Sequence, residues 1–122
     1  MDDRASLGRE GERRAEQHLR ALGYRIVTRN YRGPGGEIDL VALDGDTVVF
    51  VEVRTRHEDA LVLPEETVVP AKQRRIVRTA GRFLRQTGSE GRTCRFDVLG
   101  ITVGPQGRMA VNHVPEAFIP VW

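Results

Sequence analysis

Asp39 and Glu52, with Arg54 two residues further on, are the side chains of this 122-residue sequence whose types and spacing support chemistry. Two runs with strand character, Glu37 to Asp44 and Thr47 to Arg54, flank Asp44-Gly45-Asp46, which reads as a hairpin. With Gly45-Asp46 as a two-residue loop, Asp44 faces Thr47, Leu43 faces Val48 and Val41 faces Phe50. Further along, Asp39 faces Glu52 and Glu37 faces Arg54. Side chains alternate with period two, so all of these share one face of the sheet. Facing carboxylates have Cβ atoms about 4.5 to 5.5 Å apart, a like-charge pairing that destabilises a sheet unless something compensates it. A divalent cation compensates it, and hard oxygen ligands at this separation suit Mg2+ or Mn2+, ions that keep several waters and engage phosphate oxygens. Arg54 adds a fixed positive charge on the same face.

The competing reading makes Asp39 and Glu52 solvated residues of a polar hairpin face. That face, however, also carries Val41, Leu43, Val48 and Phe50, and the opposite one, Ile38, Leu40, Ala42, Val49, Val51 and Val53, is apolar throughout. A sheet buried on both sides whose core runs out into an ionised cleft fits this distribution better.

The elements that must position these groups follow from periodicity. Ser6 is suited to cap a helix running to about Leu22, with Leu7, Gly11, Ala15, His18, Leu19 and Leu22 as its buried stripe and Gly23 as its stop. Glu12 sits at the edge of that stripe, and Glu10 and Glu16 point further out. Tyr24 to Asn30 reads as a strand closed by the turn Arg32-Gly33-Pro34-Gly35-Gly36. The stretch from Thr55 to Val69, containing His57-Glu58-Asp59 and Pro64-Glu65-Glu66, reads as a long loop. Pro70 opens a helix to about Gln86 with Ile76, Val77, Ala80, Phe83 and Leu84 inside and Arg74, Arg75, Arg78, Arg82 and Arg85 outside. Strands at Cys94 to Val103 and Met109 to Val114 finish the chain, divided by Gly104-Pro105-Gln106-Gly107. The order is helix, three strands, helix, two strands: an α/β fold with a central mixed sheet flanked by helices, in one domain spanning residues 1–122.

At this point the wording of the sequence matters. Gly36-Glu37-Ile38-Asp39-Leu40-Val41 and Phe50-Val51-Glu52-Val53-Arg54-Thr55-Arg56, preceded by Gly8-Arg9-Glu10-Gly11-Glu12 and Asn30-Tyr31-Arg32, resemble the YraN family of bacterial proteins. The likeness extends through Lys72, Ala80 and Arg95-Phe96-Asp97-Val98. That family is placed in the restriction-endonuclease-like, PD-(D/E)xK superfamily and is similar to archaeal Holliday junction resolvases. The resemblance implies a metal-dependent endonuclease acting on DNA, and the resolvase likeness extends this to branched or otherwise structured DNA. It implies that Asp39 and Glu52 bind the metal with the backbone carbonyl of Val53, and that Glu12 completes the site. A junction resolvase needs two active sites, so it also implies a homodimer. Two positions depart from the pattern. Ile38 stands where the superfamily name has proline, and Arg54 stands where lysine is usual. Arginine stays protonated at ordinary pH, so it can orient water and stabilise charge but cannot act as a base. Lys72, near the start of the second helix, is the candidate to reach the site instead. An alternative reading keeps the fold and nucleic-acid binding without hydrolysis.

Composition sets looser bounds. The net charge of +2 does not by itself imply nucleic-acid binding, and Lys72 is the one lysine among 19 basic residues. Arg29, Arg32 and Arg56 near strand ends, with Lys72, Arg74, Arg75 and Arg78, are candidate phosphate contacts. Tyr31 is placed either to stack on a base or to plug a strand end. His57 is a weaker candidate for proton transfer, while His18 and His113 show no ligand spacing. Cys94 is alone and reads as a half-buried strand residue. Trp122, with Phe118 and Ile119, is expected to cover a sheet edge or a dimer contact. No apolar run approaches the roughly 20 residues that cross a bilayer and no signal peptide is visible, so a cytoplasmic protein without membrane contact is expected.

Overall fold

Gly11, Ala15 and Leu19 recur at helical spacing, and all three are buried against a sheet in the computed structural model, which describes residues 4–59, 63 and 67–122. They belong to α1, Arg4–Ala21. The helix starts ahead of Ser6, which lies in its first turn rather than capping it. Gly23, at φ 91°, ends the helical path, and because α1 stops at Ala21 the expected stripe residue Leu22 turns outward, 54 % exposed.

The strands are β1 (Arg25–Gly33), β2 (Gly36–Asp44), β3 (Thr47–His57), β4 (Cys94–Val103) and β5 (Met109–Val114), and α2 spans Pro70–Gln86 between β3 and β4. They form one five-stranded sheet in the order β1-β2-β3-β4-β5. The β3–β4 pair is parallel and the rest antiparallel, which is the mixed sheet of the restriction-endonuclease-like layout. Two boundaries move from the sequence expectation. β1 runs on through Tyr31 to Gly33, so its turn contracts to Pro34-Gly35, where Gly35 takes φ 76°. β3 extends to His57 because Thr55, Arg56 and His57 pair with Ile101, Thr102 and Val103 of β4. The remaining loop positions 60–62 and 64–66, Pro64-Glu65-Glu66 among them, lie outside the described residues.

Both faces of the sheet are covered, as the two apolar faces of the hairpin require. Ile76, Val77, Ala80, Phe83 and Leu84 of α2 pack on Val41, Val48, Phe50, Phe96 and Val98. On the other side Ala15 and Leu19 of α1 pack on Leu40, Val49, Val51, Val53, Leu99 and Ile101. Ile38 departs from the reading. It packs on the α2 side while Leu40 packs on the α1 side, so the alternation of faces slips at Asp39. The slip falls between the pairs Arg29–Leu40 and Tyr31–Ile38, where Asn30 of β1 adopts a left-handed φ of 51°. The two strands therefore kink together, as local irregularities in a ladder commonly do beside functional sites. Two glycines set how closely the helices approach. A Cβ on Gly11 would lie 2.0 Å from Oγ1 of Thr55 in β3, and one on Gly36 would lie 2.3 Å from Oγ1 of Thr79 in α2. The C-terminal aromatics serve the α2 side, where Phe118 stacks on Phe96 at 5.1 Å between ring centres and Trp122 lies 5.9 Å from the same ring.

At the C-terminal end of α1 the sheet carries a buried charge. Asp97 of β4 is 1 % exposed. It accepts hydrogen bonds from Nε of Arg95 at 3.1 Å, from Nε2 of His113 at 2.7 Å and from the Glu116 amide at 3.1 Å. With Nε2 fixed as donor by the carboxylate, His113 offers Nδ1 as an acceptor to Nε2 of His18, 3.2 Å away on α1. Arg95 also reaches the Tyr24 hydroxyl and Asp44. Spacing alone could not link His18 to His113, 95 positions apart. Burial pushes the Asp97 carboxyl up, but the hydrogen bonds from His113, Arg95 and the Glu116 amide outweigh it and hold the group below its ordinary value. A depressed carboxylate stabilises the fold above its unfolded-state pKa, near 4, and that contribution is lost as pH falls through the folded value. Asp97→Asn should therefore cost about 3 kcal/mol at pH 7. The difference from wild type should shrink as pH falls below about 4, as read by urea denaturation; a penalty independent of pH would mean that shape and not charge matters there.

Candidate metal-binding active site

The antiparallel ladder between β2 and β3 follows the register expected from the two-residue loop, from Asp44–Thr47 to Leu40–Val51, and stops there. At the next step the Val53 amide donates to Oδ2 of Asp39 at 2.8 Å. A side chain thus takes the bond that a backbone carbonyl would otherwise make, and the strands part into a fork. The expected cross-strand pairs Asp39–Glu52 and Glu37–Arg54 consequently lie beyond the regular ladder. Glu37 instead turns to Arg32 of β1, its Oε1 2.7 Å from Nε of the arginine.

Asp39 and Glu52 sit at the mouth of the fork, 7 % and 4 % exposed. Among the described residues Oε2 of Glu52 and Nε of Arg54 are buried with no hydrogen-bond partner. An unsatisfied buried polar atom costs on the order of 1 to 3 kcal/mol, more when charged. Burial, and then the neighbouring Asp39 charge, push the Glu52 carboxyl well above the usual carboxylate range. Asp39 is raised as well, because burial outweighs the stabilising hydrogen bonds it accepts. The pair is the like-charge arrangement inferred from the hairpin, set in a poorly hydrated place.

Three other groups come to it from both sides of the sheet. Gly11 lets α1 lie against Thr55, and the next residue, Glu12, is carried towards Asp39. Glu12 is raised to about 7, first by burial and then by the charges of Asp39 and Glu37. Glu37 is the contributor that the hairpin register misassigned, since it paired this residue with Arg54. From the first turn of α2, Nζ of Lys72 lies 3.8 Å from Oε1 of Glu52. The fork therefore sets the Asp39–Glu52 pair against Lys72 and Arg54, with the charges of Glu12 and Glu37 felt from its margins.

The remaining candidates are dispersed. Arg29 is held by Glu16, with Nε at 2.6 Å and a second nitrogen at 2.8 Å, and Arg32 is held by Glu37, so neither is an unpaired phosphate contact. Arg56 donates to the Thr55 carbonyl. Arg74, Arg75 and Arg78 are exposed on α2; Arg74 and Arg78 lie on its outer side, whereas the Arg75 backbone approaches Gly36 of β2. The Tyr31 ring meets Phe83 edge-on and its hydroxyl contacts Gln86, which is the plug rather than the stacking platform. His57 is exposed at the end of β3 and Cys94 is half-buried.

Chemically, the fork suits a divalent cation. Among the described residues no three His, Cys, Asp or Glu side chains form a ready-made cage. Mg2+ and Mn2+ need less: one or two carboxylates with water and substrate phosphate oxygens complete their shells. The orphaned Oε2 of Glu52 beside a second buried carboxylate is the donor set they fit. Because the folded-state pKa of Glu52 is raised, its ionisation costs stability, and the cost grows as pH climbs from the unfolded value of about 4.3. In EDTA, Glu52→Gln should raise Tm by about 3 °C or more at pH 8 and by little near pH 4. Thermal unfolding at both pH values checks this, and a lower Tm at pH 8 would make Glu52 a structural residue.

Comparison with known proteins places these residues in a common sequence frame. A profile described as uncharacterised protein family UPF0102 matches residues 11–101, a span that holds Glu12, Asp39, Glu52, Val53, Arg54 and Lys72. A UPF0102 protein of Symbiobacterium thermophilum is 47 % identical over 112 residues, covering 92 % of this chain and 95 % of the relative. One from Anaeromyxobacter dehalogenans is 47 % identical over 117 residues, 96 % of this chain and 87 % of its own. One from Geobacter sulfurreducens is 43 % identical over 112 residues, 92 % and 88 %. Matched along nearly its whole length, and with the fork residues inside the matched span, the chain belongs to the UPF0102 family, the group to which the YraN resemblance pointed.

Proposed function

We propose that the protein is a divalent-metal-dependent endonuclease that hydrolyses phosphodiester bonds in DNA. The observation that carries this reading is the buried Asp39–Glu52 pair at the strand fork, with an unpaired Glu52 oxygen and two cationic side chains beside it. Asp39, Glu52 and the Val53 carbonyl, with Glu12, are the groups to hold Mg2+ or Mn2+. When bound, such an ion supplies Lewis-acid charge at the phosphate and lowers the pKa of a reacting water.

The chain's own residues supply the rest. Asp39 accepts the Val53 amide proton, which fixes its carboxylate in orientation and holds the fork open. Lys72 and Arg54 bring fixed positive charge to where the phosphoryl oxygens gain negative charge, the kind of preorganised stabilisation that accounts for large rate effects. Arg54 is restricted to that role, because it does not deprotonate. Lys72 stands from α2 where the usual lysine of the strand is missing. Glu12 is raised to about 7 by burial and by the charges of Asp39 and Glu37, repulsion that a bound cation would relieve. Branched DNA as the substrate and a dimer that pairs two such sites follow from the resolvase likeness.

A second reading rests on Arg54 and on the side-chain carboxylates falling short of a complete cage: a module that retains the fold and binds nucleic acid without cutting it. Incubation of duplex, flapped and four-way DNA with the protein in Mg2+ and in Mn2+ separates the two. Cleavage is expected, and Asp39→Ala and Glu52→Ala should each lower it by at least about 100-fold, the scale of losing a principal charge-stabilising group. Cleavage that survives both substitutions would refute the site. Binding without cleavage under either ion would favour the module.

A further inference from the structure

The α1 side of the fork opens into a pocket of ≈ 250 Å³ between α1 and β1, lined by Arg9, Glu12, Arg13, Glu16, Arg29 and Leu40. It adjoins the candidate site directly. Glu12 belongs to both, and Leu40, part of its lining, follows Asp39 in β2. Its charges are unevenly used. Glu16 is committed to Arg29 through two hydrogen bonds and to Arg20 through a third at 3.2 Å.

Arg9 and Arg13 are left over. Both are exposed, and among the described residues neither makes an ion pair. They stand four residues apart on α1, one turn, where like charges destabilise a helix. An anion between them removes that repulsion, and an arginine pair is well matched to phosphate oxygens. The α2 arginines Arg74, Arg78 and Arg85 have no such relation to the fork. Ile76, Val77, Ala80, Phe83 and Leu84 face the sheet, so Arg74, Arg78 and Arg85 point away from it.

We propose that this pocket is a phosphate subsite in which Arg9 and Arg13 seat the phosphodiester neighbouring the scissile one. The nucleic-acid strand then enters over α1 rather than along the arginine face of α2. The inference rests on the nuclease reading of the fork and adds the path of the substrate to it. The Arg29–Glu16 pair forms one wall, closing the pocket on the β1 side without adding net charge.

The test is fluorescence anisotropy of a labelled 20-base-pair DNA duplex in EDTA, which removes cleavage, across a range of salt concentrations. Arg9→Gln with Arg13→Gln should weaken binding about 10-fold near 0.1 M salt and make the slope of log K against log salt shallower by about 1 to 2, the loss of one or two phosphate contacts. These side chains are exposed, so the fold should persist, as circular dichroism will show. Arg78→Gln with Arg82→Gln and Arg85→Gln should leave affinity within about 2-fold and the slope unchanged. Glu16→Gln, which frees Arg29, should tighten binding. The subsite is refuted if the α1 double variant binds like wild type, if the α2 variant loses as much, or if wild type shows no salt-dependent binding. Parallel cleavage assays in Mn2+ keep the two claims apart. Loss of binding in the α1 variant of a protein that never cleaves would count against the nuclease alone, and undiminished binding and KM in that variant of an active enzyme would count against the subsite alone.

Discussion

Two carboxylates are kept in a place where carboxylates are expensive. Asp39 and Glu52 are almost wholly removed from water, the Asp39 charge opposes ionisation of Glu52, and one Glu52 oxygen has no partner among the described residues. Burial of an unpaired charge is tolerated in a marginally stable domain only if the surrounding structure enforces it. Here the enforcement is visible. The Val53 amide is bound by Asp39 instead of by the facing strand, and the kink shared by Asn30 and Asp39 turns both strands over at that level. Beyond it the β2–β3 ladder stops while β1–β2 and β3–β4 stay paired on either side, and the carboxyl groups lie where the two strands part.

The remainder of the fold can be understood as support for this opening. A sheet covered on both faces leaves the fork opening at an edge of the core, so one helix reaches it from each side. The missing side chain of Gly11 brings α1 onto β3, which delivers Glu12, and Gly36 does the same for α2 against β2, near the turn that delivers Lys72. At its far end α1 is tied to β4 and β5 through His18, His113 and Asp97, so the helix that carries Glu12 is anchored at both ends. Small residues at one end and a satisfied buried charge at the other fix its position more firmly than its short apolar stripe would.

The hairpin was legible because two periodicities coincided. The Gly45-Asp46 loop set the register, and the alternation of apolar residues said that both faces were buried, so the carboxylates fell together before any likeness to other proteins was considered. What could not be read was where the regularity fails. A period-two argument carried Ile38 with Leu40 and paired Glu37 with Arg54, and the kink at Asp39 undid both. Helix ends moved for a similar reason, since Ser6 and Leu22 satisfy local rules that the packing of α1 overrides. The Asp97 network was invisible for a different reason: its members lie on α1, β2, β4 and β5 and on the connections beside them, and no local spacing links them. Nor did composition reveal that Arg29 and Arg32 pair with glutamates while, among the described residues, Arg9 and Arg13 make no ion pair.

The central claim is that the fork is built for a divalent cation, and Mn2+ binding read by electron paramagnetic resonance tests it most directly, without nucleic acid or turnover. The account predicts saturable loss of the free hexaaqua Mn2+ signal with about one or two ions per chain for wild type. It predicts no such loss for Glu52→Gln or Asp39→Asn proteins that remain folded. A wild-type protein that leaves the Mn2+ signal untouched, or variants that bind the ion as wild type does, would contradict it.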